Sequence, residues 1–328
     1  MAVALIGLGA NLGDRLGALD RAVERLRTAP GIAVVAVSLW RETAPICGPI
    51  GQPPFLNGAV RLETSLSPSA LLAALHTIEH DAGRRRGVRW DARPLDLDLL
   101  LYDDVVLQSA DLTLPHPRLA FRRFVLEPAA EIAAELRHPT LGRTVGELLR
   151  HLNEAANYVA VAGVSPAAQR TLAERLAARC CGRFLADSAP DSPFSPVNST
   201  GPALAAAIES LDGRRRLLAY SALVPGEWTV SDFWLGEGLA AARAELAPDE
   251  LARFEPAWET AGTETAAPKL IVALGPFSEV PGDRRETRFR QELAELLRQP
   301  GQAPVLYLPA EDASCAEDEV AAAVLAMR

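Results

Sequence analysis

The sequence predicts two domains of different class, an α+β sandwich followed by an α/β unit built on a parallel sheet. Three observations carry this reading. The 328 residues, about half of them hydrophobic, suffice for two cores. In the first half, segments with strand and helix periodicity follow one another in the order of a compact α+β sandwich. In the second half a strand runs through a glycine into a helix, and two later apolar runs, Leu270 to Leu274 and Val305 to Leu308, read as fully buried parallel strands. The polar stretch His151 to Asn157 separates the halves, which places the domains at 1–154 and 155–328.

The first element is a buried strand from Val3 to Leu8, ending in the turn Gly9-Ala10-Asn11-Leu12-Gly13. Leu16, Leu19, Val23 and Leu26 then recur at helical spacing. Ile32 to Leu39, rich in β-branched residues, makes a second strand and Leu56 to Leu62 a third, with a Pro- and Gly-rich loop from Thr43 to Pro54 between them. Loops of that length are commonly functional. Ser67 as N-cap, Pro68 at the first helical position and Gly83 at the C-terminal end bracket a helix whose apolar side carries Leu72, Leu75 and Ile78; His76 and Glu79, three apart, share a neighbouring face. A basic loop from Arg84 to Arg93 leads into Leu95-Asp96-Leu97-Asp98-Leu99, which alternates at the period of a strand.

Charge narrows the chemistry. The net charge of −9 divides at Asn157 into −1 and −8, and 32 of the 33 basic residues are arginine, Lys269 being the single lysine. Lysine-based covalent catalysis would have to use that residue, and an acidic chain without lysine clusters is a poor match for nonspecific nucleic-acid binding or an anionic membrane. No run of apolar residues is long enough to span a bilayer and Met1 to Ala10 lacks a basic flank, so the expected location is the cytoplasm. Cys47, Cys180, Cys181 and Cys315 show no metal-type spacing.

Asp96 and Asp98, two apart on a strand, project from one face while the flanking leucines anchor the other. Such a pair can hold one or two Mg²⁺ ions, which prefer oxygen ligands and complete their shells with water and phosphate; an exposed polar strand face carries the same pattern. Arg84, Arg86, Arg89 and Arg93, with Trp90 among them, point to a polyphosphate, because guanidinium forks match phosphate oxygens and stay charged. A solvated basic loop is the alternative. The carboxylates, the arginines, Trp90 and the following Pro115-His116-Pro117 together favour function.

Five segments, Gly9-Ala10-Asn11-Leu12-Gly13, Phe55-Leu56-Asn57, Gly83-Arg84-Arg85-Arg86, Arg89-Trp90 and Arg93-Pro94-Leu95-Asp96-Leu97-Asp98, give the stretch Met1 to Leu152 a resemblance to 6-hydroxymethyl-7,8-dihydropterin pyrophosphokinase of folate biosynthesis. The resemblance implies a ferredoxin-like α+β fold and transfer of the pyrophosphoryl group of ATP to the hydroxymethyl oxygen of 6-hydroxymethyl-7,8-dihydropterin, releasing AMP. It makes Asp96 and Asp98 ligands of two Mg²⁺ ions, and Arg84 and Arg93 the catalytic arginines that close over the triphosphate. Arg86, Arg89 and Trp90 would order that loop, and His76, Glu79, His116 and Arg122 fall at nucleotide contacts, His76 departing from the glutamine of some members. Phe55 and Phe124 match a pair that stacks on the pterin, with Thr43, Asn57 and backbone groups near Pro45 and Ile46 reading its edge. A flat ring does require aromatic faces and edge partners, although without the resemblance core packing is the better account of the two phenylalanines.

The second half starts with a strand from Tyr158 to Val161, then Gly163-Val164-Ser165-Pro166-Ala167-Ala168-Gln169-Arg170-Thr171 and a helix with Leu172, Leu176 and Ala177, a phosphate-loop layout. It resembles the P-loop of deoxynucleoside kinases, as do Asp187 before Pro193-Phe194 and Val230-Ser231-Asp232-Phe233, but Pro166 and Ala168 replace later glycines and Gln169 stands where lysine is expected. Arg170 is one residue out of register. Glu255 to Lys269 reads as a polar loop. The expectation is a degenerate P-loop-kinase-like domain acting as a noncatalytic interaction module, with homodimerisation as one use. The alternatives are a surviving nucleoside kinase and, for the first half, a pterin- or nucleotide-binding protein without turnover.

Overall fold

A computed structural model describes residues 1–46, 48–49, 51–84, 92–187, 203–277, 284–309 and 313–328. Arg86, Arg89, Trp90, Cys47, Pro193 and Phe194 lie outside the described residues. The chain divides into two units, Met1–Asn153 with Leu325–Arg328, and Glu154–Val324.

The first unit is built on a five-stranded antiparallel sheet. Its strands are β1 (Ala2–Ala10), β2 (Ile32–Val37), β3 (Arg41–Thr43), β4 (Phe55–Thr64) and β5 (Asp96–Tyr102), in the order β2-β4-β1-β5 with β3 added to β4. β1 is central and buried from Ala4 onward, which is why its sequence reads as one apolar run rather than an alternation. Helix α1 (Arg15–Thr28) starts at Asp14, whose carboxylate accepts the Gly17 N–H, and α2 (Pro68–Asp81) starts at Ser67, which accepts the Ala70 N–H. Their apolar stripes, Leu19, Val23 and Leu26 from α1 and Leu71, Leu75 and Ile78 from α2, meet Ile6, Leu8, Val60, Leu62, Leu97 and Leu99 in one core. Leu71 rather than Leu72 holds the fully buried position on α2.

The opposite face of the sheet carries α3 (Arg123–Ala133), which the sequence reading did not place; Arg41 and Arg61, on that face of β3 and β4, pair with Glu131 on α3 and Glu135 just beyond it. A small hairpin, β6 (Leu107–Gln108) with β7 (Thr113–Leu114), and α4 (Val145–Glu154) complete the unit.

In the second unit five strands, β8 (Tyr158–Gly163), β9 (Arg183–Leu185), β10 (Thr229–Ser231), β11 (Leu270–Gly275) and β12 (Val305–Pro309), form an all-parallel sheet in the order β12-β11-β8-β10-β9. The helices are α5 (Pro166–Arg179), α6 (Ala203–Leu218), α7 (Leu235–Glu245), α8 (Pro248–Glu264), α9 (Arg284–Arg298) and α10 (Ala313–Ala326). Glu255 to Lys269 is therefore not a loop: most of it lies in α8. Pro248 opens that helix, Glu250 returns a carboxylate to the Ala247 N–H, and Phe254 and Ala261, two turns apart, are buried. The buried positions are too sparse among Glu255, Glu259, Thr260 and Glu264 to stand out as a stripe.

Candidate active site

Strand register assembles the site. Asp96 on β5 lies opposite Gly9 on β1, Gly9 opposite Asn57 on β4, and Asn57 opposite Arg41 on β3; the neighbouring row sets Asp98 opposite Gly7 and Gly7 opposite Ala59. Directly paired residues in antiparallel strands share a face. The two carboxylates therefore stand on the α3 side beside two glycines that place no side chain in front of them.

Three arginines converge on these acids. Arg93 Nη1 donates to Asp96 Oδ2 at 2.8 Å, and Arg84 Nη1 lies 2.7 Å from Asp96 Oδ1 while also pairing closely with Glu79 Oε1. Arg122 Nη1 is 4.0 Å from Asp98 Oδ2. Asp96 Oδ1 is buried, and despite its nearness to Arg84 it accepts no well-directed hydrogen bond. The Asp96 carboxyl is pushed up by burial and by the Asp98 charge, against the pull of Arg93 and Arg84. Glu79 is 3 % exposed and accepts the Leu97 N–H at 2.7 Å; burial raises it to about 7. The site thus holds crowded carboxylates whose charge an added cation would relieve. Among the described residues no group of three or more His, Cys, Asp or Glu side chains is arranged to hold a metal by itself. The Asp96–Asp98 pair, with one buried oxygen that accepts no hydrogen bond, suits Mg²⁺, which takes few protein carboxylates and fills its remaining positions with water and phosphate oxygens.

His116 follows the β6–β7 hairpin. Its backbone N–H donates to Leu100 O at 2.9 Å, and its Nδ1 accepts the Arg118 N–H at 3.2 Å. A ring whose Nδ1 accepts must carry its proton on Nε2 when neutral. Burial, then Arg122 and Arg118, lower His116 to about 3, so it is neutral near pH 7 and presents a donor. His76 is exposed, one turn before buried Glu79; the two share a helix but not an environment.

The predicted pterin residues gather at the β3–β4 end of the sheet. Thr43 pairs with Phe55 across the strands, and Asn57 Nδ2 donates to Thr43 Oγ1 at 2.7 Å, which orients the amide. Pro45 and Ile46 follow β3 outside regular secondary structure, half-buried. Phe124 lies at the start of α3 with the Arg122 guanidinium 5.5 Å from its ring centre, so one helix terminus joins a predicted stacking residue to a predicted nucleotide residue.

One residue without a predicted role emerges. Asn11, 1 % exposed, holds the backbone of Arg93 and the segment Gln52–Pro53. Its signal in the sequence was a polar residue between apolar neighbours in the turn after β1.

Paired carboxylates faced by arginines on the α3 side of an antiparallel sheet point to a phosphate-handling enzyme. Residues 5–134 match the family described as 7,8-dihydro-6-hydroxymethylpterin-pyrophosphokinase (HPPK). The 2-amino-4-hydroxy-6-hydroxymethyldihydropteridine pyrophosphokinase of Synechocystis is 40% identical over 161 residues, 49% of this chain and 82% of the relative. The protein of the same description from Methylorubrum extorquens is 43% identical over 153 residues, 47% of this chain and 95% of the relative. The chain belongs to the 7,8-dihydro-6-hydroxymethylpterin-pyrophosphokinase family. Among solved structures, deoxyadenosine kinase from M. mycoides is similar at a TM-score of 0.40 and 10% identity, covering 50% of this chain and 95% of that one, a likeness too weak to assign the second unit.

Proposed function

We infer that the first unit performs pyrophosphoryl transfer with the residues gathered on the α3 side of its sheet. As a member of its family the chain is a transferase that passes pyrophosphate from ATP, its co-substrate, to the hydroxymethyl group of 6-hydroxymethyl-7,8-dihydropterin in folate synthesis. The observation that carries the residue assignment is the placement of Asp96 and Asp98 side by side opposite Gly9 and Gly7, faced by Arg84, Arg93 and Arg122. The first unit has a β-α-β-β-α-β core in the order β5-β1-β4-β2, and we assign it the ferredoxin-like fold.

Asp96 and Asp98 would hold two Mg²⁺ ions, which supply charge neutralisation of the triphosphate. Arg84 and Arg93 balance the charge that shifts onto the AMP leaving group; a guanidinium has five N–H donors, so one Nη1 contact to Asp96 does not exhaust its fork. His116 offers Nε2–H and Arg122 a second cation to the nucleotide, with Arg86, Arg89 and Trp90 assigned to the same loop by family likeness. Glu79 serves from behind: its carboxylate spans Leu97 N–H and Arg84, fixing the arginine relative to the strand that bears both aspartates. His76 is retained as a nucleotide contact at the exposed rim. Phe55 and Phe124 sandwich the pterin, and Asn57, oriented by Thr43, reads its edge together with the backbone at Pro45 and Ile46. Catalysis is then positioning and electrostatics, with no covalent nucleophile. The test is AMP release from MgATP and 6-hydroxymethyl-7,8-dihydropterin. Asp98→Ala should fold and lose about 10²- to 10³-fold in turnover, the scale for removing a charge-stabilising group; near-normal turnover refutes the assignment.

The second unit is read as a P-loop-kinase-like domain that transfers nothing, the domains themselves being proposed at 1–154 and 155–328. Gln169, in the lysine position, is 4 % exposed, and the two N–H bonds of its Nε2 are shared among Glu237 Oε1 at 2.9 Å, Asp232 O at 3.2 Å and Val161 O at 3.3 Å. The same Glu237 oxygen accepts the Gly163 N–H at 2.9 Å, and Ser165 Oγ takes the Ala168 N–H. Groups that a phosphate loop would offer to a nucleotide are spent on the protein itself. Asp187 is held by Arg214, and Arg170 is turned onto Asp232 at 2.9 Å. Lys269 precedes β11 and donates to Asn157 Oδ1 at 2.8 Å, at the end of the sheet opposite the Gly163–Ser165 turn. An interaction surface, including pairing of two copies, is the role left to this unit. Equilibrium binding of MgATP to the whole chain should saturate at one nucleotide; a second site that survives Asp98→Ala would overturn the reading. No described helix is long and apolar enough to cross a membrane, and we place the enzyme in the cytoplasm with its small-molecule substrates.

A further inference from the structure

Asn11 stands where β1 turns toward α1, and every side-chain contact it makes leaves its own turn. Its Oδ1 accepts the Arg93 N–H at 2.6 Å, and its backbone N–H donates to Arg93 O at 3.0 Å, so both peptide groups flanking the Arg93 Cα are gripped by one residue 82 positions away in sequence. The amide orientation is dictated, because a backbone N–H only donates and must face the oxygen. The nitrogen therefore points the other way, where Nδ2 donates to Gln52 Oε1 at 3.2 Å and lies 3.4 Å from Pro53 O. Four residues further on, Arg15 Nη1 donates to Pro54 O at 2.7 Å while its Nη2 pairs with Glu42 at 2.9 Å on β3. Asn11 in the turn and Arg15 at the start of α1 thus hold three consecutive residues of the segment leading into Phe55, and Asn11 also holds the backbone of the arginine on Asp96.

A residue that only closed its own turn would bond locally, as Asp14 does when it caps α1. Asn11 instead spends its two amide ends on the two substrate sides, and with 1 % exposure it has no water to replace either partner. A displacement of Gln52–Pro53 is transmitted through one planar group to the main chain of Arg93. The oxygen and nitrogen of that group are separated by fixed covalent geometry, so one end cannot move without the other.

We propose that Asn11 is a positioning residue that couples occupancy of the pterin side to the placement of Arg93, so that each substrate alters the affinity for the other through this amide. The inference rests on Arg93 being the phosphate-side arginine. Arg93→Ala tests that separately: if it retains turnover, the site reading fails, whereas if it loses turnover the site reading stands whatever Asn11 does.

The experiment measures binding of fluorescent 6-hydroxymethylpterin to the full chain with and without saturating Mg²⁺ and α,β-methylene-ATP, an analogue that cannot transfer pyrophosphate. The ratio of the two dissociation constants is the coupling factor. The wild-type factor should exceed 5. In Asn11→Ala it should fall at least fivefold toward 1, with turnover at saturating substrates down tenfold or more and affinity for the analogue alone within threefold. Gln52→Ala, which removes the loop partner and leaves the grip on Arg93, should lower the coupling factor at least twofold. A wild-type factor of 1, or a factor within twofold of wild type in folded Asn11→Ala, overturns the proposal. Should Asn11→Ala fail to fold, an unchanged factor in Gln52→Ala overturns it.

Discussion

Replacing Gly9 with alanine perturbs the two substrate sides unequally, and the structure supplies the size of the effect. A Cβ at Gly9 would lie 2.9 Å from Asn57 Oδ1 and 3.8 Å from Phe55 Cδ1, with no atom of Asp96 within 4 Å although Asp96 is the cross-strand partner. Relief of the oxygen clash requires the Asn57 amide to move by about 0.5 Å, or roughly a 30° turn from its rotamer, which costs about 1 kcal/mol. The bond from Asn57 Nδ2 to Thr43 Oγ1, 2.7 Å long, is stretched or lost, and with it about 1 kcal/mol of orientation. The pterin edge then meets a misplaced partner, bringing the combined loss to about 2–3 kcal/mol, or roughly 30- to 150-fold in affinity. Steady-state kinetics should show the pterin KM raised by about that factor, while the ATP KM and kcat stay within about threefold because Asp96, Asp98 and the arginines are untouched. The assay is AMP release with pterin varied at saturating MgATP. A pterin KM within twofold of wild type would refute the packing argument, and an equal loss in kcat would show that the carboxylates had moved.

Other expectations follow from single contacts. Arg93→Ala should lower kcat by about 10³-fold while weakening pterin binding less than fivefold, since its guanidinium lies on Asp96; equal losses in a titration and a rate assay would argue against a transition-state role. His138, 7 % exposed, is lowered to about 4 by burial, against 6.5 for the free ring. Because the folded pKa is depressed, its contribution to stability is complete above about pH 6.5 and is lost as pH falls through 4, by about 3 kcal/mol. Urea unfolding of wild type and His138→Gln should therefore converge on acidification over that window, and parallel curves would contradict it. Arg214 lies against Asp187 Oδ2 at 2.6 and 3.1 Å and is 5 % exposed, so Arg214→Leu should destabilise the second unit by about 3–5 kcal/mol by leaving buried carboxylates without a cation. A shift of the second unit's unfolding midpoint worth less than about 1 kcal/mol would show that the network is solvated.

Local chemistry made much of the first unit legible. Ser67-Pro68 opened a helix because a hydroxyl cap and a proline act within one turn, and Asp96-Leu97-Asp98-Leu99 declared a two-faced strand because alternation requires no partner. The second unit's helix α8 is hidden in the sequence because its buried positions are diluted among acids and threonines, and burial is decided by what packs against a helix. Leu72 yielded its place to Leu71 for the same reason: a stripe has a width, and only the sheet beneath α2 selects its centre.

By itself the sequence pointed to the residue types proposed to carry the chemistry, two strand carboxylates on one face with arginines in place of lysine, and to a glutamine after the strand-glycine turn of the second unit. These follow from side-chain identity and backbone period, which are local. The tertiary structure decided what those residues do to one another. Antiparallel register set Gly7 and Gly9 opposite the aspartates, burial turned Glu79 away from solvent onto Leu97 and Arg84, and the turn after β1 brought Asn11 to both Arg93 and Gln52. In the second unit it placed Glu237, 68 residues from Gln169, where its carboxylate accepts both the Gln169 amide and the Gly163 N–H. Contacts of that span depend on strand pairing and close packing, neither of which is written in any one segment of the chain.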